Sequence, residues 1–381
     1  MIKITFYIND GENDGENIDI NAKSMEIILK KQSAKLLVYS FAHFWIDFAC
    51  ACLIFSAINT KDWLFCLLIY NFCAFALQMP FGLLADRLDQ NAGFAAFGCI
   101  LTAGAFVCGA MPVLACITAG VGNAMFHIGG GLDVLNDSFG KNSLDENKKT
   151  GKNTPRSGPL GVFVSPGALG LFFGRMMGRQ NQVSLWIPAV ILCITAIAIF
   201  IFYSKQKETF TGNNIFSPRI QSHYIIPAIC LFLVVCIRSY TGMSLNFDWK
   251  SDGWWGIGLV IAVALGKIAG GFISDRIGAS RTALLTLGLS AVFFLFSSIP
   301  ALGILAVFFF NMTMPVTLCA MAELFPGAKG FSFGLLTFAL FLGFIPVYLG
   351  AESIFIAVWI FSICCGISLI LLWAGLKGGK K

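Results

Sequence analysis

The sequence predicts an all-α membrane protein: twelve transmembrane helices in two pseudo-symmetric six-helix halves. Three observations carry this. The chain of 381 residues is 57% hydrophobic, 12% charged and holds 38 Phe, against about 25% charged in a soluble domain. Its apolar runs are long enough to cross a bilayer, which takes about 20 residues. A short string also occurs twice, GLLADRLDQ at 82–90 and GFISDRIGASR at 271–281. The two Asp-Arg pairs lie about half the chain apart, each at the inner end of an apolar stretch. A half-length repeat in an apolar chain is the pattern of a transporter built from repeated halves.

In order, residues 1–35 form a cytoplasmic N-terminal extension. The strand-like MIKITFYI and the tandem DGENDGEN predict a hairpin followed by a short surface helix, since Asp-Gly pairs favour turns. The acids Asp10, Glu12 and Asp14 resemble a calcium loop only faintly, because Asn21 stands where a bidentate Glu is needed. The N-terminal half, 36–203, holds spans at 36–58, 63–84, 93–112, 113–135, 158–174 and 184–203. The segment 204–222 is the cytoplasmic linker. The C-terminal half, 223–376, holds spans at 223–246, 254–273, 282–299, 301–324, 331–350 and 352–376, and 377–381 is a cytoplasmic tail. Gly and Pro interrupt many spans, which membrane bundles tolerate because neighbouring helices satisfy the freed backbone groups.

Positive charge orients the chain. With a cytoplasmic N-terminus the outside loops hold only Lys61, Arg175, Arg179 and Lys250, and Arg238 and Lys267 fall within spans; every other Lys and Arg lies inside. This bias places both termini in the cytoplasm of an inner, bacterial-type cell membrane. The net charge of +6 therefore reports topology, and no basic groove with interleaved aromatics marks a nucleic-acid partner. All 13 Cys fall inside spans without zinc-site spacing, as small apolar fillers. The loop near 136–157 contains GKN at 151–153 without the upstream Gly or the Ser/Thr of a phosphate loop. With no nucleophile elbow, metalloprotease helix or nucleotide loop, the chain reads as no enzyme, and no cofactor or metal is expected. Energy must come from an ion gradient.

Twelve spans, a central joint and the Gly-x-x-x-Asp-Arg string after spans two and eight resemble the major facilitator superfamily over residues 36–376. The first copy departs from the family pattern, with Asp89 where Gly is usual; the second keeps Gly278 and Arg281. The resemblance implies a cytoplasmic gate of Gly82, Asp86, Arg87, Gly271, Asp275, Arg276 and Arg281. The glycines permit close packing, and each Asp sits against a helix N-terminus of the opposite half. GAKGFSFG at 327–334 is the expected acceptor for Asp86, and Arg156 to Gly158 for Asp275. Glu323, at the inner end of span ten, caps or gates. The alternative is ordinary positive-inside loops with turn residues. Span five, GVFVSPGALG, is similar to the antiporter motif of drug exporters at Gly161, Pro166 and Gly170, with Ser165 and Leu169 where Gly is usual. A Gly-rich packing helix is the alternative there.

Ionisable groups inside spans are costly and mark function. His43 and Asp47 are four apart and share a helix face, as do Asn123 and His127. At ~1.5 Å per residue, His43, His127, Asp47 and Arg238 lie roughly 11–21 Å from the inner face. The resemblance places spans one, four, seven and ten around a central cavity, where these groups meet. Tyr240, Thr313 and Thr317 are further candidate lining groups. The span-one His-x-x-x-Asp, span-four Phe-His and span-seven Arg-Ser also resemble the fosmidomycin-resistance branch, with Ile128 where that branch has Pro. Asp47 is the expected proton carrier, tuned by His43 and His127. Arg238 pairs with Asp47 or with an anionic substrate. A packing role for His43 and a static Asp47–Arg238 ion pair are the alternatives. Lys267 is expected to snorkel inward, without chemistry.

The function expected is proton-coupled export of a small organic solute by alternating access. Proton-coupled uptake is the alternative direction, and a non-transporting receptor or scaffold the alternative class. The partners are the solute, protons and the lipid bilayer, with a monomer as the working state.

Overall fold

The computed structural model describes residues 14–57, 63–139, 155–180, 186–203, 222–350 and 358–378, with side chains from Lys30 onward. The strand-like start of the N-terminal segment, the loop at 140–154 and the linker at 204–221 lie outside the described residues.

Among the described residues every regular element is a helix. The twelve that cross or lie within the apolar layer are α1 (Asp14–Ala57), α2 (Trp63–Leu88), α3 (Asn91–Gly104), α4 (Pro112–Ser138), α5 (Gly158–Gln180) and α6 (Trp186–Tyr203), then α7 (Ser222–Ser244), α8 (Trp255–Ile277), α9 (Ala279–Leu295), α10 (Pro300–Leu324), α11 (Lys329–Tyr348) and α12 (Val358–Gly378). Ten are long and apolar enough to span a bilayer; α3 and α9 are shorter. The helices pack as two six-helix halves. The outward faces carry Phe97, Ile194, Phe200, Ile201, Ile226 and Ile370, all exposed. Such a continuous apolar exterior needs lipid around it. The chain therefore has the expected all-α membrane architecture. The surface helix expected after the acidic turn is instead continuous with the first span, since α1 runs 44 residues without a break.

Proline withdraws an N–H from the ladder of several helices, α5, α10 and α2 among them. In α5, Pro166 leaves the Val162 carbonyl without its helical donor, and Ser40 Oγ of α1 donates to that oxygen at 3.4 Å. In α10, Pro315 does the same to Asn311, and the helix breaks at Asn311–Met312. In α2, a π-turn over Phe72–Ala76 precedes Pro80, and Gln78 Nε2 donates to the Ala74 carbonyl at 2.6 Å. Side chains re-satisfy backbone groups that lipid could not.

The halves meet most closely at the end of the bundle that carries the two Asp-Arg strings, called here the Asp-Arg face. There α2 lies against α11 and α5 against α8. A Cβ added to Gly82 would land on the Gly330 carbonyl, and one added to Gly271 on the Ser157 carbonyl. Only glycine allows these backbones to approach so closely.

Candidate functional site

Both Asp-Arg strings end at a residue with positive φ. Asp89, three residues after Asp86, has φ 51°, and Gly278, three after Asp275, has φ 89°. Asp is among the few non-glycine residues that adopt this conformation at modest cost. That accounts for Asp89 where glycine is usual. The turns aim the two carboxylates across the interface. Asp86 accepts the N–H groups of Gly330 at 2.7 Å and Phe331 at 2.8 Å, at the start of α11. Asp275 accepts those of Ser157 at 2.5 Å and Gly158 at 2.9 Å, at the start of α5. Each anion thus satisfies orphan donors at a helix N-terminus of the other half. Lys329 adds a third link, donating to Asn136 Oδ1 at 3.2 Å and sitting over the Phe139 ring at the end of α4. Arg87, Arg276 and Arg281 are exposed, as is Glu323 in the last turn of α10.

The centre of the N-terminal half holds a compact polar cluster. Asn123 Nδ2 donates to Asp47 Oδ1 at 3.0 Å, and His43 Nε2 lies 3.3 Å from Asp47 Oδ2. His127 Nδ1 is 2.8 Å from the Asn123 carbonyl, so that nitrogen carries a hydrogen and donates it. The other nitrogen, Nε2, then offers a lone pair. It accepts from His43 Nε2 at 2.9 Å. His43 Nδ1 is left as a buried nitrogen without a hydrogen-bond partner. The cluster thus joins one carboxylate to two imidazoles, with room to store a proton. Gly167 of α5 makes the space for it, since a Cβ there would fall on His43 Nε2 and Asp47 Oδ2. The neighbouring Gly161 and Gly170 lie equally close to backbone, at the Lys267 and Phe44 carbonyls. These span-five glycines pack α5 closely against α1 and α8.

Arg238 is not paired with Asp47. It is buried in the C-terminal half and donates through Nη2 to Thr313 Oγ1 at 2.9 Å and Thr317 Oγ1 at 3.0 Å. The Pro315 break in α10 leaves these threonines one turn apart on one side. Tyr240, two residues from Arg238, is about 200° round the helix and does not share its face. The charge that lies between the halves is Lys267. Its Nζ donates to the Val164 carbonyl of α5 at 3.1 Å, within electrostatic reach of both Asp47 and Arg238. The expectation that Lys267 snorkels away is corrected: α8 is pressed so tightly onto α5 that its side chain lies along the interface. A lysine in the second half of an apolar span was the signal for it.

Asp133 is a second buried carboxylate that sequence reasoning passed over. It accepts from Tyr39 OH at 2.7 Å and Asn91 Nδ2 at 3.2 Å. With it, α1 and α4 form an antiparallel ladder. Lys35 meets Asp137 at 2.9 Å, Tyr39 meets Asp133, His43 meets His127, and Asp47 meets Asn123. On α1 the four rungs are each four residues apart, one helical stripe.

His43, Asp47 and His127 place three donor atoms within 4.8 Å of one another, so by atom type they could hold a metal ion. Lys267, within electrostatic reach of Asp47, opposes a divalent ion there more than a single proton.

At the end opposite the Asp-Arg face the halves part around a cleft of about 590 Å³. Arg175, Arg179 and Lys250 line it among apolar groups such as Phe172, Met176 and Phe247. Both guanidiniums stack on Phe55, at 5.2 and 5.1 Å, and among the described residues no carboxylate pairs with any of the three. Partial burial, then the Arg175 charge, push the Lys250 ammonium below the ordinary lysine range. The cleft reaches Val263, one turn short of Lys267. The molecule is therefore sealed at the Asp-Arg face and open at the other.

No family model matches the chain, and no curated protein does. Solved structures do. A substituted form of the E. coli fucose:proton symporter FucP aligns at TM-score 0.63 and 14% identity, over 89% of this chain and 97% of that one. FucP described as a major facilitator superfamily transporter in the outward conformation aligns at 0.62 and 13%, over 91% and 100%. The chain thus has the major facilitator fold. The likeness is to the fold alone and does not bear on the fosmidomycin-resistance branch.

Proposed function

We propose that this protein is a secondary transporter that moves a small organic solute across a cell membrane by alternating access, coupled to protons. The observation that carries the reading is the Asp47–His43–His127 cluster. A carboxylate and two imidazoles share hydrogen bonds inside an apolar bundle, where retaining ionisable groups is costly unless they work. The positive-charge bias supports a cytoplasmic Asp-Arg face and cytoplasmic termini, so the described conformation is outward-facing. The Asp86 and Asp275 contacts act as its inner gate.

Lys267 lies between the halves and Arg238 is buried in the C-terminal half, each hydrogen-bonded only to neutral groups among the described residues, and three more cations line the outer cleft. A solute with an anionic group fits this lining best. When such an anion reaches Lys267, it competes with Asp47 for that charge. Asp47 then gains affinity for a proton, and the halves rock. Solute and proton then cross together, which is symport; antiport, which the span-five resemblance to drug exporters favours, requires instead that the proton leave Asp47 before the solute binds.

The test is a thermal-shift screen of organic acids, followed by flux of a stabilising compound into proteoliposomes containing a pH dye. Entry by antiport alkalinises the lumen and entry by symport acidifies it. Solute entry without any proton movement contradicts the coupling.

A further inference from the structure

The ladder between α1 and α4 does not stop at the coupling cluster. From the cluster it continues towards the Asp-Arg face through Tyr39–Asp133 and then Lys35–Asp137. One apolar group interrupts it. Phe163 of α5 is fully buried, its ring 4.8 Å from that of His43. A Cβ on Gly130, in the α4 turn between His127 and Asp133, would touch both Tyr39 and Phe163, and one on Gly131 would touch Phe163 and Phe333. The two glycines and the two Phe rings thus fill the gap between the upper and lower rungs. On its lower side stands Asp133, buried yet held by only two donors, Tyr39 and Asn91. Asp137 and Lys35 lie one turn further down, and Tyr203 of α6 stands 6.0 Å from the Tyr39 ring.

We propose that Asp133 is a second proton-binding site on the route between the Asp47 cluster and the Asp-Arg face, and that Phe163 is the apolar plug that keeps the two sites apart in this conformation. This rests on the reading of Asp47 as the coupling group. A proton released from the His43–His127 pair is taken up by the Asp133 carboxylate as an O–H. It is later released past Asp137 to water, and the carboxylate is restored. The Tyr39 hydroxyl stays a donor to Asp133 throughout and holds its orientation. An apolar constriction blocks such a path by excluding water. Removing the ring leaves a space whose polar neighbours, the unpartnered His43 Nδ1 and the Tyr39 hydroxyl, can hold water. Since Phe163 rides on α5, whose first turn is bound by Asp275, opening the Asp-Arg face and unplugging the route are one motion.

The experiment needs no solute. Purified full-length protein is placed in liposomes with an internal pH dye, and a valinomycin-clamped potassium gradient drives proton entry. Wild type is expected to match protein-free liposomes, and Phe163→Ala to raise influx several-fold. In that background Asp133→Asn should abolish the leak, Tyr39→Phe should reduce it, and Thr195→Val, on α6 away from the ladder, should leave it unchanged. A folded Phe163→Ala protein without a leak overturns the plug, and a leak that persists at full rate in Asp133→Asn overturns the second site. If Asp47→Asn keeps the leak while Asp133→Asn removes it, the Asp47 reading fails and the Asp133 site stands. Should Phe163→Ala not fold, the infrared carboxyl band of wild type titrated from high to low pH decides the question. A protonated-carboxyl component must disappear in Asp133→Asn but remain in Asp47→Asn, and an unchanged spectrum in Asp133→Asn overturns the site.

Discussion

His43 and His127 meet Nε2 to Nε2 at 2.9 Å, so a single hydrogen occupies the space between the two rings. Because the outer nitrogen of His127 is committed to the Asn123 carbonyl, that hydrogen belongs to His43, and Asp47 shares it from the side. A second proton can enter only by taking an Asp47 oxygen, by parting the rings or by taking the empty His43 Nδ1. Proton binding is thereby placed at the packing surface of α1, α4 and α5.

That surface makes Gly167 the sharpest steric probe. Gly167→Ala puts a methyl on the His43 and Asp47 heads. Overpacking of this kind costs about 1–3 kcal/mol. The variant should melt lower than wild type and lose proton coupling, whereas Gly288→Ala, where an added Cβ meets nothing within 4 Å, should do neither. Equal melting of the two variants would mean that the cluster is looser than described.

At the gate, Asp86→Asn and Asp275→Asn each remove a charge from a helix N-terminus, worth roughly 0.3–2 kcal/mol. Each should lower the yield of cysteine crosslinks between α2 and α11, or between α5 and α8, at the Asp-Arg face. The double variant should lower both further. Unchanged yields and transport would return the strings to ordinary turns.

The turns that end the strings differ in strain. Gly278 has φ 89° and ψ 151°, a region almost confined to glycine, so Gly278→Ala should cost about 1–3 kcal/mol. Asp89 has φ 51° and ψ 43°, which glycine also adopts, so Asp89→Gly should change the melting temperature little. Thermal melts of the two variants test the asymmetry.

Much of this was legible in the sequence. Long apolar runs located the twelve helices, and the Asp86 and Asp275 strings pointed to the segments they contact, because a carboxylate beside a turn seeks orphan N–H groups. Two residues were misjudged for one reason. Sequence gives height along a helix, but not which neighbour a side chain faces. Arg238 has the right depth for Asp47 and yet turns to Thr313 and Thr317 within its own half. Lys267 reads as a snorkelling lysine until α8 is seen against α5. Asp133 was hidden by its place near the end of an apolar run, since α4 continues three residues past the expected boundary, to Ser138. The stripe of Lys35, Tyr39, His43 and Asp47 is visible in the sequence, but its register with α4 is a property of the packed pair.

The central claim is that Asp47 carries the coupled proton. The direct measurement is flux of a compound found by the thermal-shift screen into proteoliposomes under an imposed pH gradient, for wild type and Asp47→Asn. The amide keeps the size of the carboxyl and can accept from either Asn123 or His43, but it cannot gain or lose a proton. The account predicts that Asp47→Asn still binds the compound and no longer accumulates it in response to the gradient. Accumulation at the wild-type level by Asp47→Asn would contradict it and make Asp47 a structural residue.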